Sequence, residues 1–341
     1  QVFSLSDLNK ITDEGVEFLT NVSALEMTEQ PESLIIIGGG YIGCEFGHFF
    51  ASLGTEVTII AMEPERLLPA EDEDISDVFT NAFRERVQLH LNSKARAVER
   101  VTRKSNGTQR DGVRLTIETG DGKERTLEAE RLMIAAGRAP NTSGMGLDAT
   151  GVETTDKGWI RVDEYLRTTN PHIFAYGDCI GQAMFKHTSS YEGELAYRNA
   201  MAQYGERTNG DNDQHRSDSM QAVSYRANPH AVFTSPEIAS VGLTEAECRA
   251  RSDLEFDVAR VDYANIAKGE ILGSPPGLAK LIIEHDTRKI LGFHLAGPHA
   301  AMLIHEIVLA MTADLPADAI TDTIHIHPTM PELIQKVFGK V

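Results

Sequence analysis

The chain has 341 residues, of which 41% are hydrophobic and 24% are charged, so we expect a globular protein of two or three domains. Its net charge of −19 repels nucleic-acid phosphates and anionic lipids, and its apolar runs are too short to cross a bilayer, so neither nucleic acid nor a membrane is expected as a partner. Three cysteines without a CxxC or CxxxxC spacing argue against a disulfide framework or a metal site, and they fit a reducing cytoplasm.

The first regular elements are predicted shortly after residue 30. Residues 1–30 are mixed in character, and we interpret them as a remaining strand and a linker. Leu34 and the three isoleucines that follow it form a run typical of a buried strand. Glycines come next, then a helical pattern that reaches Leu53, and a second strand is predicted over 57–60. This order predicts a βαβ unit.

The turn between the first strand and the helix carries a GxGxxG motif, formed by Gly38, Gly40 and Gly43, with Tyr41 and Ile42 before the last glycine. Alone, the motif could be a plain glycine-rich turn, but here it follows a strand and opens a helix, which is the context of a dinucleotide site. The first glycine permits a tight turn, the second lets backbone N–H groups approach a pyrophosphate, and the third lets helix and strand pack closely.

The end of the second strand is where NAD and NADP are distinguished, because a carboxylate there binds the ribose hydroxyls and an arginine accepts a 2′-phosphate. Ala61 occupies the expected position, Glu63 is the nearest carboxylate, and neither Ala61 nor Met62 is an arginine. We therefore predict NAD, with Glu63 on the ribose. NADP stays open, and so does the interpretation of Glu63 as a solvated loop charge.

Further elements follow the second strand. A helix is predicted over 73–89, and a buried strand over 131–135 ends at Gly137. Between them we predict an antiparallel meander with strands at 95–101, 113–118 and 125–129 and turns at 106–107 and 121–122.

The second half of the chain alternates strands and helices, which is an α+β pattern. We first predict a strand at 172–175, a helix over 189–203 and a surface loop over 205–218. The later predicted strands lie at 231–233, 278–284 and 290–296, and the later helices at 245–251, 300–311 and 331–338.

Three segments resemble motifs of one enzyme family. Residues 135–141, AAGRAPN, resemble the AxGRxPN turn that closes an NAD domain, and residues 168–178, TTNPHIFAYGD, resemble a second FAD motif. Residues 233–244, FTSPEIASVGLT, resemble the start of an interface domain. By these motifs the chain resembles the class I pyridine nucleotide–disulfide oxidoreductases of the dihydrolipoyl dehydrogenase and mercuric reductase type, without their N-terminal FAD and redox-cysteine segment.

The resemblance implies an α/β fold with a Rossmann-like NAD(P)-binding domain, part of an FAD-binding domain and a C-terminal α+β dimerisation domain. We place these domains at residues 31–147, 148–225 and 226–341, after a remnant of the FAD domain at 1–30. FAD and NAD are the implied cofactors, and a homodimer is the implied assembly. Asp178 would bond the ribityl chain of the flavin, the segment of His187 would lie against the flavin ring, and Gly137 would border the nicotinamide nucleotide.

Residues 325–332, HIHPTMPE, resemble the HxHPTxxE motif of the same family. In relatives the second histidine is the acid/base in the active site of the partner subunit and the glutamate orients it, which implies these roles for His327 and Glu332. An imidazole suits this chemistry because a dithiol must lose a proton near neutral pH. His325 is expected to support structure.

The chain departs from the family pattern in one respect, because it holds no second GxGxxG and no CxxxxC. We therefore expect a piece of a longer protein, or a protein completed by a separate chain, that is inactive by itself. The predicted activity is electron transfer between NAD(H) and a dithiol or disulfide such as dihydrolipoamide, free or on a lipoyl carrier domain. A mercuric reductase, a reductase of low-molecular-weight disulfides, a transhydrogenase-like flavin enzyme and a non-catalytic dinucleotide-binding and dimerisation module stay open.

Overall fold

The computed structural model describes residues 16–105, 108–204 and 219–341. They form two compact units, one made of the chain up to Gly137 together with Pro229–Val341, the other of Arg138–Asn228. Residues 1–15 of the predicted remnant, the predicted turn at 106–107 and the predicted loop at 205–218 lie outside the described residues. The predicted domain boundaries stay predictions.

The first part of the first unit is built on a parallel sheet. Its elements are β1 (Ser33–Ile37), α1 (Tyr41–Ser52), β2 (Glu56–Ile60), α2 (Glu73–Phe83), β3 (Gln88–His90), β4 (Ser93–Ser105), β5 (Thr108–Thr119), β6 (Glu124–Ala129) and β7 (Arg131–Ile134). Strands β3, β2, β1 and β7 lie side by side in that order, and their pairs are parallel. The predicted βαβ unit is confirmed by β1, α1 and β2.

Strand β1 is buried along its whole length, which explains its unbroken apolar sequence. Its alternate side chains point to opposite faces of the sheet: Leu34 and Ile36 pack in the core that contains Phe50 of α1 and Phe79 of α2. Ile35 and Ile37 pack in a second core with residues of β4–β6. These three strands form the predicted antiparallel meander. The carboxyl end of β1 is therefore fixed from both sides of the sheet.

The helix predicted over 73–89 is too long, and the correction is that its last residues belong to strand β3. This strand pairs with β2 at the edge of the parallel sheet. Val87, Leu89 and Leu91 recur at every second position, which is the period of a strand and not of a helix.

The second unit contains one long helix. Its helical segments are α3 (Leu147–Thr150), a 3₁₀ turn at Gly177–Ile180 and α4 (Lys186–Tyr204), which extends the predicted helix 189–203 at both ends. The strand predicted at 172–175 is wrong, because Asn170 closes a turn by accepting from the Ile173 amide at 3.0 Å. Within residues 172–175, Phe174 forms an isolated antiparallel β-bridge with Arg167.

The rest of the first unit is an antiparallel sheet with helices. Its elements are β8 (His230–Val232), β9 (Ile238–Gly242), α5 (Glu245–Arg249), β10 (Phe256–Asp262), a 3₁₀ turn at Tyr263–Asn265, α6 (Ala267–Ile271), β11 (Leu278–Glu284), β12 (Ile290–Ala296), α7 (Ala300–Thr312), α8 (Asp318–Thr321) and α9 (Glu332–Phe338). The strand order is β10, β11, β12, β9, β8, and we refer to these strands as the C-terminal sheet. The α+β pattern is confirmed, although the sequence pattern does not predict β9, β10, α6 or α8.

Candidate dinucleotide and acid–base sites

The glycine loop, residues 38–43, connects β1 to α1 at the carboxyl end of the parallel sheet. Gly38 has a φ of +124°, and a Cβ on it would lie 2.4 Å from the Ala135 carbonyl oxygen. A Cβ on Gly43 would lie 2.1 Å from the Gly38 carbonyl oxygen, so packing requires glycine at both positions. A Cβ on Gly40, the residue before α1, would meet nothing within 4 Å. The second glycine therefore leaves open space at the N-terminus of the helix, where a phosphate binds well.

A cleft of about 300 Å³ opens beside the glycine loop, at the ends of strands β1, β2 and β7. Ligands of open α/β sheets bind at this edge. Gly38, Gly40, Glu63 and Gly137 are brought together in its lining, as four of the predicted nucleotide-binding residues. Tyr41 and Ile42 lie half-buried in the first turn of α1.

Two charged side chains of the loop after β2 have different surroundings. The Glu63 carboxylate borders the cleft, and its Oε2 lies 3.5 Å from the position that a Cβ on Gly39 would take. Arg66 is turned towards carboxylates, at 2.8 Å from both Glu73 and Asp77. A glycine loop at a helix N-terminus, with a carboxylate in the lining of the adjoining cleft, fits a dinucleotide.

His327 and Glu332 form a hydrogen-bonded pair at the start of α9. His327 Nδ1 lies 2.7 Å from Glu332 Oε1, and 70% of the histidine side chain is exposed. Glu332 Oε2 accepts from the Thr329 amide at 2.9 Å, which fixes the carboxylate beneath the ring. The hydrogen bonds from His327 and Thr329 lower the pKa of Glu332. An accessible imidazole oriented by an ionised carboxylate can accept and return protons.

The other histidine of this motif has a different environment. The His325 side chain is only 4% exposed, and its Nε2 lies 3.2 Å from Glu306 Oε1 on α7. Its Nδ1 lies 3.0 Å from the Thr323 carbonyl oxygen. These contacts are those of a packed side chain that links α7 to the segment before α9.

Asp178 lies in the 3₁₀ turn of the second unit, and its carboxylate is half-exposed. Glu192, a buried residue of α4, fixes this turn by accepting from the Gly177 amide at 2.6 Å. Arg138 donates to the Asp178 carboxylate and, at 2.9 Å, to the Met184 carbonyl oxygen. Because carboxylate and guanidinium side by side offer acceptors for hydroxyls and donors for phosphates, they fit a flavin nucleotide.

The sequence pattern does not single out Arg138, which contacts Asp178 in the structure. It stands in the AxGRxPN segment, but its partner Asp178 is 40 positions away and no local pattern connects the two. His187, predicted to lie near the flavin, is exposed at the start of α4, and its ring stacks on Phe185 with centroids 5.6 Å apart. Its role stays a prediction.

Neither a metal site nor a membrane-spanning helix is found among the residues that the structure describes. Nowhere in 16–105, 108–204 and 219–341 are three His, Cys, Asp or Glu side chains grouped so that they could hold a metal ion. The helices within those same ranges are too short or too polar to cross a bilayer.

Known families and proteins match almost the whole chain. Residues 2–194 match the family described as pyridine nucleotide-disulphide oxidoreductase, and residues 228–338 match its dimerisation domain. The chain is 35% identical over 317 residues to dihydrolipoyl dehydrogenase of Bacillus subtilis, with 92% of this chain and 62% of the relative covered. It is 35% identical over 321 residues to mercuric reductase of Streptomyces lividans, with 94% and 62% covered. The chain thus spans less than two thirds of the length of these curated relatives.

Solved structures agree with the sequence matches. The HOCl-induced flavoprotein disulfide reductase RclA from Escherichia coli superposes with a TM-score of 0.79 at 28% identity, over 95% of this chain and 68% of that one. LpdA from Mycobacterium tuberculosis gives 0.78 at 27% identity, over 94% and 64%. The predicted α/β fold class is confirmed, and FAD and a pyridine nucleotide are the cofactors of the family. The chain belongs to the pyridine nucleotide-disulphide oxidoreductase family.

Proposed function

We propose that the protein transfers electrons between NAD(H) and a dithiol or disulfide by way of FAD, with dihydrolipoamide, free or on a lipoyl carrier domain, as its substrate. The observation that carries the proposal is the exposed imidazole of His327, held by Glu332 at 2.7 Å. Such a pair serves a substrate that must lose a proton before it is oxidised, as a dithiol does. The B. subtilis relative named dihydrolipoyl dehydrogenase supports this choice of substrate.

The hydrogen bond between His327 and Glu332 determines which ring nitrogen of His327 can accept the proton of the dithiol. The hydrogen bond to Glu332 places the ring proton on Nδ1, so Nε2 of the neutral ring is the free acceptor. Because the hydrogen bond from His327 lowers the pKa of Glu332, the carboxylate stays ionised at neutral pH and stabilises the imidazolium that forms. His327 Nε2 would therefore take a proton from the dithiol and return it in the reverse reaction.

We propose NAD(H) as the nicotinamide nucleotide, bound with its pyrophosphate on the glycine loop and its adenosine ribose on Glu63. Glu63 borders the cleft, and a carboxylate there accepts from the 2′- and 3′-hydroxyls while repelling a 2′-phosphate. Arg66 is paired with Glu73 and Asp77, so a 2′-phosphate would have to compete for it.

FAD, when bound, supplies the electron carrier between nicotinamide and disulfide. In this proposal Asp178 accepts from its ribityl hydroxyls, and Arg138 orients that carboxylate. The segment that contains His187 would lie against the flavin ring.

We propose a homodimer formed through the C-terminal part of the first unit. Met302 and Leu309 lie seven positions apart on one face of α7 and are 73% and 68% exposed. Ile324 and Ile326, which flank His325, are 94% and 75% exposed. Exposed apolar side chains in this number mark an interaction surface, and the match of this region to a dimerisation domain supports a second copy as the partner. His327 would then serve the active site of the partner subunit.

A second candidate function is a dinucleotide-binding and dimerisation module that by itself reduces no disulfide. The three cysteines are free thiols, and burial raises the pKa of each of them, so none has the thiolate character of a redox cysteine. The 341-residue chain would then depend on a dithiol that it does not contain. A reducing, cytoplasmic location fits free cysteines and is part of this proposal.

The test compares protein isolated from its natural source with the 341-residue chain made by itself. The natural protein should reduce NAD⁺ with dihydrolipoamide faster than with reduced glutathione, and the chain alone should do neither. Faster NADPH oxidation with Hg(II) than with lipoamide would replace the first proposal by mercuric reductase activity. Turnover of dihydrolipoamide by the chain alone would contradict the second.

A further inference from the structure

A buried carboxylate connects the glycine loop to the C-terminal sheet within the first unit. Glu71 lies between β2 and α2, and its side chain has no exposed surface. Glu71 Oε1 lies 2.6 Å from the Tyr41 hydroxyl and 2.6 Å from His230 Nε2, and Oε2 accepts from the Ser240 hydroxyl at 2.6 Å. Tyr41 is the first residue of α1, whereas His230 and Ser240 belong to β8 and β9. The Glu71 side chain therefore bonds α1 on one side and the C-terminal sheet on the other.

The charge of Glu71 makes these bonds strong. Burial by itself would raise the pKa of this carboxyl, but the hydrogen bonds from His230, Ser240 and Tyr41 outweigh burial and hold the pKa below its ordinary value. The group is therefore ionised at neutral pH. Hydrogen bonds to a buried ion are about twice as strong as neutral ones, and loss of a donor leaves the charge undercompensated.

The segment that carries Glu71 holds the glycine loop at a second point. The Leu68 amide donates to the Gly39 carbonyl oxygen at 2.9 Å, and the Glu71 amide donates to the Leu68 carbonyl oxygen at 3.0 Å. On the other side, Asp72 accepts from buried Lys280 of β11 at 2.6 Å. The loop is thus connected through a few residues to the C-terminal sheet.

We propose that Glu71 is a positioning residue for the nicotinamide nucleotide. By holding the Tyr41 hydroxyl it fixes the first turn of α1, and with it the backbone N–H groups that would receive the pyrophosphate. His230 and Ser240 fix Glu71 in turn, so the C-terminal sheet sets the geometry of the nucleotide loop. This inference rests on the proposed nucleotide site at residues 38–43.

A double-mutant cycle on NADH affinity tests the positioning role. Tyr41→Phe removes one hydroxyl, Glu71→Gln removes the charge, and the third variant carries both changes. Each single change should weaken NADH binding, measured by titration calorimetry, by roughly 3- to 30-fold, which lies within the range of coupling energies between residues of one network. The loss of affinity in the double variant should be smaller than the sum of the two single losses, because both changes act on the same hydrogen bond: Tyr41→Phe removes it, and Glu71→Gln leaves it without the carboxylate charge.

Arg260→Gln is the matched control. Arg260 of β10 pairs with Asp74 at 2.8 Å, across the same contact between the Glu71 segment and the C-terminal part, and with Glu245 of that C-terminal part at 2.5 Å. The Arg260→Gln variant should have a lower melting temperature than the unaltered chain and the same NADH affinity.

Three results would overturn the inference. Unchanged affinity in Tyr41→Phe would do so even if Glu71→Gln failed to fold, and so would additive losses in the double variant. A Glu71→Gln variant that lowers only the melting temperature, as Arg260→Gln should, would show a structural role. A different result is failure of the unaltered chain to bind NADH. That result would contradict the proposed nucleotide site itself, and the positioning role with it.

Discussion

In the proposed reaction, His327 and the Glu332 carboxylate bound to it take part in proton transfer, so a substitution there should separate the two half-reactions. In the natural protein, which we expect to turn over dihydrolipoamide, His327→Gln should leave flavin reduction by NADH nearly unchanged and slow dithiol turnover by about 10²- to 10⁴-fold, the range for loss of a general acid–base group. Stopped-flow absorbance follows the first half-reaction, and steady-state NAD⁺ reduction by dihydrolipoamide measures the whole.

His285→Gln is the control for that substitution. His285 is also exposed, and its Nδ1 lies 2.8 Å from Asp257 in the same part of the first unit. Both half-reactions should survive this change. Equal losses in the two half-reactions of His327→Gln would contradict the assigned role.

Site residues could be predicted from the sequence where partners are near in the chain. His327 and Glu332 stand five positions apart, and one motif contains both. Arg138 and Asp178 are separated by 40 positions, and Glu71 and His230 by 159, so only the folded chain reveals these contacts. A buried carboxylate such as Glu71 looks like any other acidic residue in the sequence, because its burial depends on β8 and β9.

At the scale of elements, the contact between β1 and α1 depends on Gly43. A methyl group there would lie 2.1 Å from the Gly38 carbonyl oxygen, which is backbone and cannot move away cheaply. Although alanine is the better helix former, Gly43→Ala should lower the melting temperature by roughly 3–10 °C. Thermal unfolding followed by circular dichroism measures the change.

Gly40→Ala is the matched substitution in the same loop. Its added methyl would meet nothing within 4 Å, and the residue has a φ of −84°. The melting temperature of this variant should stay close to that of the unaltered chain. If the Gly43→Ala variant had the same melting temperature as the Gly40→Ala variant, the close packing of α1 against the glycine loop would be contradicted.

Elements with a strong local period were predictable, and those decided by tertiary pairing were not. The apolar run of β1 and the glycines after it predict the βαβ unit from the sequence alone. Val87, Leu89 and Leu91 have the period of a strand, but this run is too short to be separated from the end of α2 in the sequence, and its pairing with β2 defines β3. Likewise, the turn at Asn170 prevents the strand expected at 172–175.

At the scale of the whole molecule, the exposed apolar side chains near His327 predict a dimer. Met302→Lys together with Leu309→Lys should place two charges in the interface and weaken dimerisation by roughly 30-fold or more. Sedimentation velocity over a range of concentrations measures the shift. Leu53→Lys, at an exposed position after α1, should leave the dimer intact. A dimer of unchanged affinity in the double variant would show that α7 lies outside the interface.

The proposed function depends on nucleotide binding at the glycine loop, and an NADH titration of the chain and of its Gly40→Val variant measures that binding. A Cβ on Gly40 would meet nothing within 4 Å, so we expect the variant to fold, and its melting temperature checks this. We expect saturable NADH binding by the chain and a loss of affinity of about 100-fold or more in the variant, because the valine fills the space through which the pyrophosphate reaches the helix N-terminus. Equal NADH affinity in the two proteins would show that the pyrophosphate does not bind at this loop.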